Sequence, residues 1–160
     1  MAILVRGLEF IVILLMGVIT GLVIGETVMR GVFGVSLIVT DELSRYLMVW
    51  TALLAAAILV YEDGHIRISL LPDALGPVAG RIIYAIAQLV VIGFLMAVIV
   101  ASVMIMPSIT RQNTVTLGVS MAWFYAALPV SSGLMAIFAL RNLIFRLRQP
   151  LEPDRSASDR

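Results

Sequence analysis

The residues able to do chemistry in this sequence gather at the two ends of one stretch, residues 40–69. Asp41, Glu42 and Arg45 open it, Glu62, Asp63, His65 and Arg67 close it, and the run from Tyr46 to Tyr61 between them is apolar. Asp41 and Glu42 precede Arg45 by four and three residues, so on a helix either acid can close on the guanidinium along one face. Two readings of this group stay open. One is a local ion pair, with the arginine snorkelling to the membrane boundary. The other is that Glu42 or Arg45 reaches another subunit, since an arginine at membrane depth faces protein or pairs with an acid. At the far end, Glu62, Asp63 and His65 match no metal-ligand spacing. Acids at a helix C-terminus oppose the dipole, so either the helix stops before Glu62 and Asp63 or His65 and Arg67 offset them; His65 reads as a hydrogen-bonding anchor at a turn.

Little else in the chain could react. It holds no cysteine and one histidine, which removes disulfides, thiolate metal sites and cysteine nucleophiles. No G-x-S-x-G, H-E-x-x-H, phosphate loop or G-x-G-x-x-G occurs. Ser131, Ser132 and Gly133 have no histidine nearby in sequence and read as a helix-packing surface. The expectation is therefore a protein that is not an enzyme and that binds no cofactor or metal itself. A net charge of +1 makes no electrostatic case for nucleic acid.

The elements that must position these residues are membrane helices. The 160 residues are 61% hydrophobic and 13% charged, with a mean hydropathy of +1.08. A soluble domain carries about 25% charged residues, and apolar runs of spanning length place this chain in a bilayer. Four spans are predicted, at approximately residues 8–29, 42–61, 82–106 and 121–140. Together they make an all-α membrane domain over residues 1–148, with a polar, disordered tail over 149–160. The amino-terminal run is read as a retained helix, because Glu9 interrupts its start and no A-x-A-like cleavage site follows.

Residues 30–40 are too short to span and are expected to form an interfacial segment or a surface that meets a partner. The loop from Glu62 to Arg81 is punctuated by Gly64, Pro72, Gly76 and Pro77. The third span is expected to stop at Pro107, and Pro129 falls inside the fourth. Trp50 lies deeper than an interfacial belt requires, which points to helix packing, and Ala52, Ala55, Ala56 and Ala57 allow another helix close approach.

Four spans put both termini on one side. Eight arginines (Arg6, Arg67, Arg81, Arg141, Arg146, Arg148, Arg155 and Arg160) fall on that side and three (Arg30, Arg45 and Arg111) on the other. The positive-inside rule thus predicts cytoplasmic termini. No span carries a charge near its centre. An ion-coupled carrier working alone would be expected to show one, so the charge pattern argues for a supporting role in a complex. The alternative is a self-contained, four-helix secondary transporter.

The pattern Glu42-Leu43-x-Arg45-Tyr46, then Trp50, then Ala55-Ala56-Ala57, then Gly64-His65-Ile66, resembles the small integral membrane subunit of TRAP transporters, the DctQ-like family. The likeness is clearest over residues 26–80, while chain length, four spans and a polar tail agree throughout. The Asp-Glu acid pair and an alanine run without glycine depart from many relatives. The resemblance implies a multi-pass bacterial inner-membrane protein that packs on the stationary scaffold of a large multi-span subunit. That subunit would carry the substrate and sodium sites, and a soluble periplasmic binding protein would deliver an organic acid. Asp41, Glu42, Arg45, Tyr46, Trp50, His65 and Arg67 are the expected interface or structural residues, and membrane lipids are the remaining expected partner.

Overall fold

The computed structural model describes residues 2–36, 38–63 and 77–148. Four long helices dominate: α1 (Ala2–Phe33), α2 (Ile38–Asp63), α3 (Pro77–Ile109) and α5 (Ala127–Arg148), with a single turn, α4 (Ala122–Tyr125), before the last. All four long segments are apolar enough to cross a membrane, α4 and α5 counting as one. Among the described residues there is no strand, only an isolated bridge between Asn113 and Ser120. This is the all-α, four-span architecture expected from composition.

The helices run beyond the apolar windows. α1 has 32 residues and α3 has 33, or about 48 to 50 Å at the helical rise, against a hydrocarbon layer of about 30 Å. Each must tilt or protrude. Residues 30–40 are not a separate interfacial segment: α1 continues to Phe33 and α2 starts at Ile38. Gly34 takes the turn at a φ of +65°, a conformation costly for any residue with a Cβ. Pro107 does not stop α3, which continues to Ile109. A proline removes one N–H and crowds one carbonyl a turn back, and so close to a helix end that disturbs little more than the last turn. Pro129 lies in the first turn of α5, where its missing N–H would have no intrahelical partner. Ala126, between α4 and α5, keeps helical dihedrals and donates to the Ala122 carbonyl, so the two segments follow on with only a local interruption.

The helices form an open row and not a closed bundle. α1 packs on α2, α2 on α5, and α5 on α3, while α1 and α3 stand at opposite ends without meeting. The sequence builds each outer seam by heptad spacing. In α1, Val5, Leu8, Val12, Leu15, Ile19 and Leu22 are covered apolar positions, at alternating steps of three and four. In α3 the equivalent stripe runs through Tyr84, Gln88, Ile92, Leu95 and Ile99. Where α1, α2 and α5 converge, Val5, Ala57 and Phe138 are buried, with Leu8, Tyr61 and Leu134 packed around them.

Two side-chain amides bind the row at its centre. Asn142 of α5 is 6% exposed and its Nδ2 donates to the Val60 carbonyl at 2.7 Å. Val60 is in the last turn of α2, whose carbonyls lack intrahelical donors. Gln88 Nε2 of α3 donates to the Ala139 carbonyl at 3.1 Å.

Candidate functional site

The acid-arginine group lies where α2 begins, at the end of the molecule that also holds the close of α1, the close of α3 and the start of α5. We call this the hairpin end. Its components separate into two arrangements. Asp41 and Arg45 pair at 3.3 Å, with side chains 67% and 75% exposed. This is the local pair read from the spacing, and it is solvent-facing, a setting in which such pairs contribute about 0–1 kcal/mol.

Glu42 points the other way, into the chain. Its Oε2 accepts a hydrogen bond from the Thr116 backbone N–H at 3.0 Å. Its Oε1 accepts a long one from the Tyr46 hydroxyl at 3.4 Å. Tyr46 in turn stacks on Phe124 of α4, with ring centroids 3.9 Å apart and planes 13° apart. Glu42 and Tyr46, one helical turn apart, therefore clamp the α3–α5 connection onto α2.

That connection is built for the purpose. Thr114 N–H donates to the Val119 carbonyl at 2.9 Å, and Val119 N–H donates to Thr114 Oγ1 at 3.1 Å. Gly118, at a φ of +65°, supplies the left-handed residue that closes the turn. Ser120 Oγ donates to the Thr110 carbonyl at 3.2 Å and accepts from Ala122 N–H at 3.3 Å, tying the close of α3 to the entry of α4. At the junction, the Ser44 and Thr116 hydroxyl oxygens are buried without a hydrogen-bond partner among the described residues.

A second pair stands next to it. Arg30 closes on Glu26 at 2.6 Å and also donates to Ser36 Oγ at 3.1 Å, fastening the α1–α2 turn. Glu26 and Arg30, with Val23, Thr27, Gly31 and Asp41, line a cleft of about 430 Å³.

Trp50 is half-buried in α2, so the packing role read for it is only partly met within the chain. His65 and Arg67 lie outside the described residues. Among those described, no three of His, Asp and Glu converge as metal ligands, and the buried hydroxyls of Thr51 and Ser131 donate to carbonyls of their own helices. The arrangement can hold and orient helices; it offers no nucleophile with a base.

Three features escaped the sequence reading. The Glu42 partner, Thr116, is 74 residues away, and no local pattern announces it. Asn142 is a polar residue in an otherwise apolar helix, and that intrusion is the signal that could have found it. Gly17, Gly21 and Gly25 repeat every four residues along α1, on the face turned away from the seam with α2, and a Cβ on any of them would meet nothing within 4 Å.

Two comparisons bear on these observations. The model of the family described as the DctQ component of tripartite ATP-independent periplasmic transporters matches residues 19–149. A putative TRAP transporter small permease protein of Haemophilus influenzae is 29% identical over 87 residues, which cover 54% of each chain. The match thus spans about half the length of that relative.

Proposed function

Since the chain belongs to the family of DctQ components of tripartite ATP-independent periplasmic transporters, and is therefore a multi-pass transporter component and not an enzyme, we propose that it is an accessory membrane subunit that packs against the scaffold of a large transport subunit. The observation that carries this reading is the open row. Four helices laid side by side leave both faces of the layer uncovered, and α1 and α3 each meet a single long neighbour. In the most apolar stretch of each of these two, only 6% of the residues are buried. Such a layer suits adding width to a larger membrane body, with one face toward protein and one toward lipid.

The charges support a supporting role. Every charged residue of the described helices lies toward a helix end, and a carrier that moved ions by itself would need an ionisable group at depth. The large partner would carry the substrate and sodium sites, and a periplasmic binding protein would hand it an organic acid. The arginine distribution supports a bacterial inner-membrane location with both termini in the cytoplasm.

The test is recovery and transport. A tagged full chain, expressed with its neighbouring genes and purified in mild detergent, brings down a large multi-span protein. Reconstituted alone it moves no organic acid, whereas the pair with its binding protein does so when a sodium gradient is imposed. Uptake by the chain alone would replace this reading with that of a self-contained transporter.

A further inference from the structure

The cleft at the hairpin end opens where the last turns of α1 meet the first turn of α2. Its lining carries both signs of charge. Glu26 and Arg30 come from α1 and Asp41 from α2, with Thr27 beside them and Val23 one turn deeper. Its volume of about 430 Å³ falls within the range of small-ligand pockets, about 300–1,000 Å³. Arg30 balances Glu26, and Arg45 balances Asp41. A lining of this kind matches a zwitterion better than a simple anion or cation.

These groups keep bonding capacity after their partners within the chain are counted. Arg30 donates to Glu26 Oε1 and to Ser36 Oγ, both from Nη2, so its Nη1 and Nε can meet a further acceptor. Arg45 donates to Asp41 Oδ2. A carboxylate has a second oxygen, so Glu26 and Asp41 can each accept again. The Thr27 hydroxyl gives its proton to the Val23 carbonyl at 2.7 Å, and its oxygen then stands as an acceptor. Beneath the cleft both helices continue as apolar surface. Met16 lies seven residues below Val23 and Met48 seven beyond Asp41, a spacing that keeps each on the side of the cleft. They are 54% and 66% exposed. Ala52 and Ala55 extend the Asp41–Arg45–Met48 stripe of α2, and both are exposed and small, which leaves a groove along it.

We infer that the Glu26–Arg30–Asp41 cleft binds the headgroup of a phosphatidylethanolamine-type phospholipid. The primary ammonium donates to Glu26, Asp41 and Thr27, the phosphate takes the Arg30 guanidinium, and an acyl chain follows the groove past Met48 and Ala52. The depth is right for a headgroup. Glu26 closes the uncharged run of α1 and Asp41 stands in the first turn of α2, so both carboxylates lie at the membrane boundary. A choline headgroup carries the same charges but has no N–H to donate to the carboxylates. An anionic headgroup brings no cation to meet them. A soluble zwitterion would fill the cleft and leave the groove uncovered. The inference rests on the chain spanning a bilayer; it depends neither on which leaflet holds this end nor on the proposed transport partner.

Native mass spectrometry of the delipidated full chain tests it, with titrations of dioleoylphosphatidylethanolamine, dioleoylphosphatidylcholine and dioleoylphosphatidylglycerol. The ethanolamine lipid is retained in preference to both others. Asp41→Asn lowers its retention about fivefold, the upper end of what an exposed charge contact contributes. A Cβ on Gly31 meets nothing within 4 Å, so Gly31→Leu fills the cleft without displacing a neighbour. That variant changes no charge and abolishes the preference. Glu9→Gln, an acid of α1 at the opposite end, leaves it unchanged. Circular dichroism checks helix content, and if either cleft variant loses it the other decides. Equal retention of the ethanolamine and choline lipids, stronger retention of the glycerol lipid, a preference that survives Gly31→Leu, a loss in Glu9→Gln equal to that in Asp41→Asn, or displacement of the lipid by millimolar phosphoethanolamine would each overturn the assignment.

Discussion

At the scale of the residue, two adjacent acids have different fates. Asp41 meets Arg45 in solvent, and Glu42 meets a backbone N–H of a distant turn. The expected consequence is a sharp contrast in mutagenesis. Asp41→Asn changes stability by about 0–1 kcal/mol. Glu42→Ala leaves the Thr116 N–H without its acceptor and costs about 1–3 kcal/mol. Glu42→Gln keeps an oxygen in place and recovers most of that loss. Hydrogen exchange at the Thr116 amide measures it directly: faster exchange in Glu42→Ala, near-normal exchange in Glu42→Gln. If Asp41→Asn proves as damaging as Glu42→Ala, the exposed pair has a partner outside this chain.

At the scale of the element, α5 is the helix on which the row depends, since among the four long helices it alone touches both α2 and α3. Asn142 supplies the donor that α2 lacks at its carboxyl end. Asn142→Ala should lower stability by about 1 kcal/mol, within the range of side-chain hydrogen bonds between membrane helices, seen as a fall in thermal midpoint of the detergent-solubilised chain. α1 tests the opposite case. Open space lies over Gly21, so Gly21→Leu leaves the thermal midpoint of the isolated chain unchanged or slightly raised, leucine being the better helix former. Under the proposed packing of the row on a larger subunit, the same substitution reduces co-purification of that subunit. Unaltered recovery would assign this face of α1 to lipid.

At the scale of the whole molecule, the row of four helices sets which groups share an end. The Asn113–Ser120 turn, with Val115 93% exposed, stands opposite the end where α1 starts and α5 closes. The natural absence of cysteine makes orientation measurable without background. Val115→Cys in intact cells stripped of the outer membrane reacts with an impermeant maleimide, and Ser158→Cys reacts only after lysis. The reverse pattern would invert the proposed topology.

Hydropathy alone was enough for the four helices and their approximate places, because burying backbone in lipid demands long apolar helices whatever their neighbours. That Arg45 can close on Asp41 or Glu42 was equally legible, since a helix brings residues three and four apart together without help from the rest of the fold, but which acid it meets was not. Helix ends were less so: Pro107 was read as a stop, and residues 30–40 as a separate segment, because a proline's cost and a glycine's turn depend on where the hydrogen-bonded ladder ends. Composition also left the arrangement open, as the same four helices could have closed into a bundle. Only the tertiary structure decided that they lie in a row, that Glu42 holds Thr116, and that Asn142 caps α2. Each is a contact between residues far apart in sequence, and helical periodicity carries no information about which helix stands beside which.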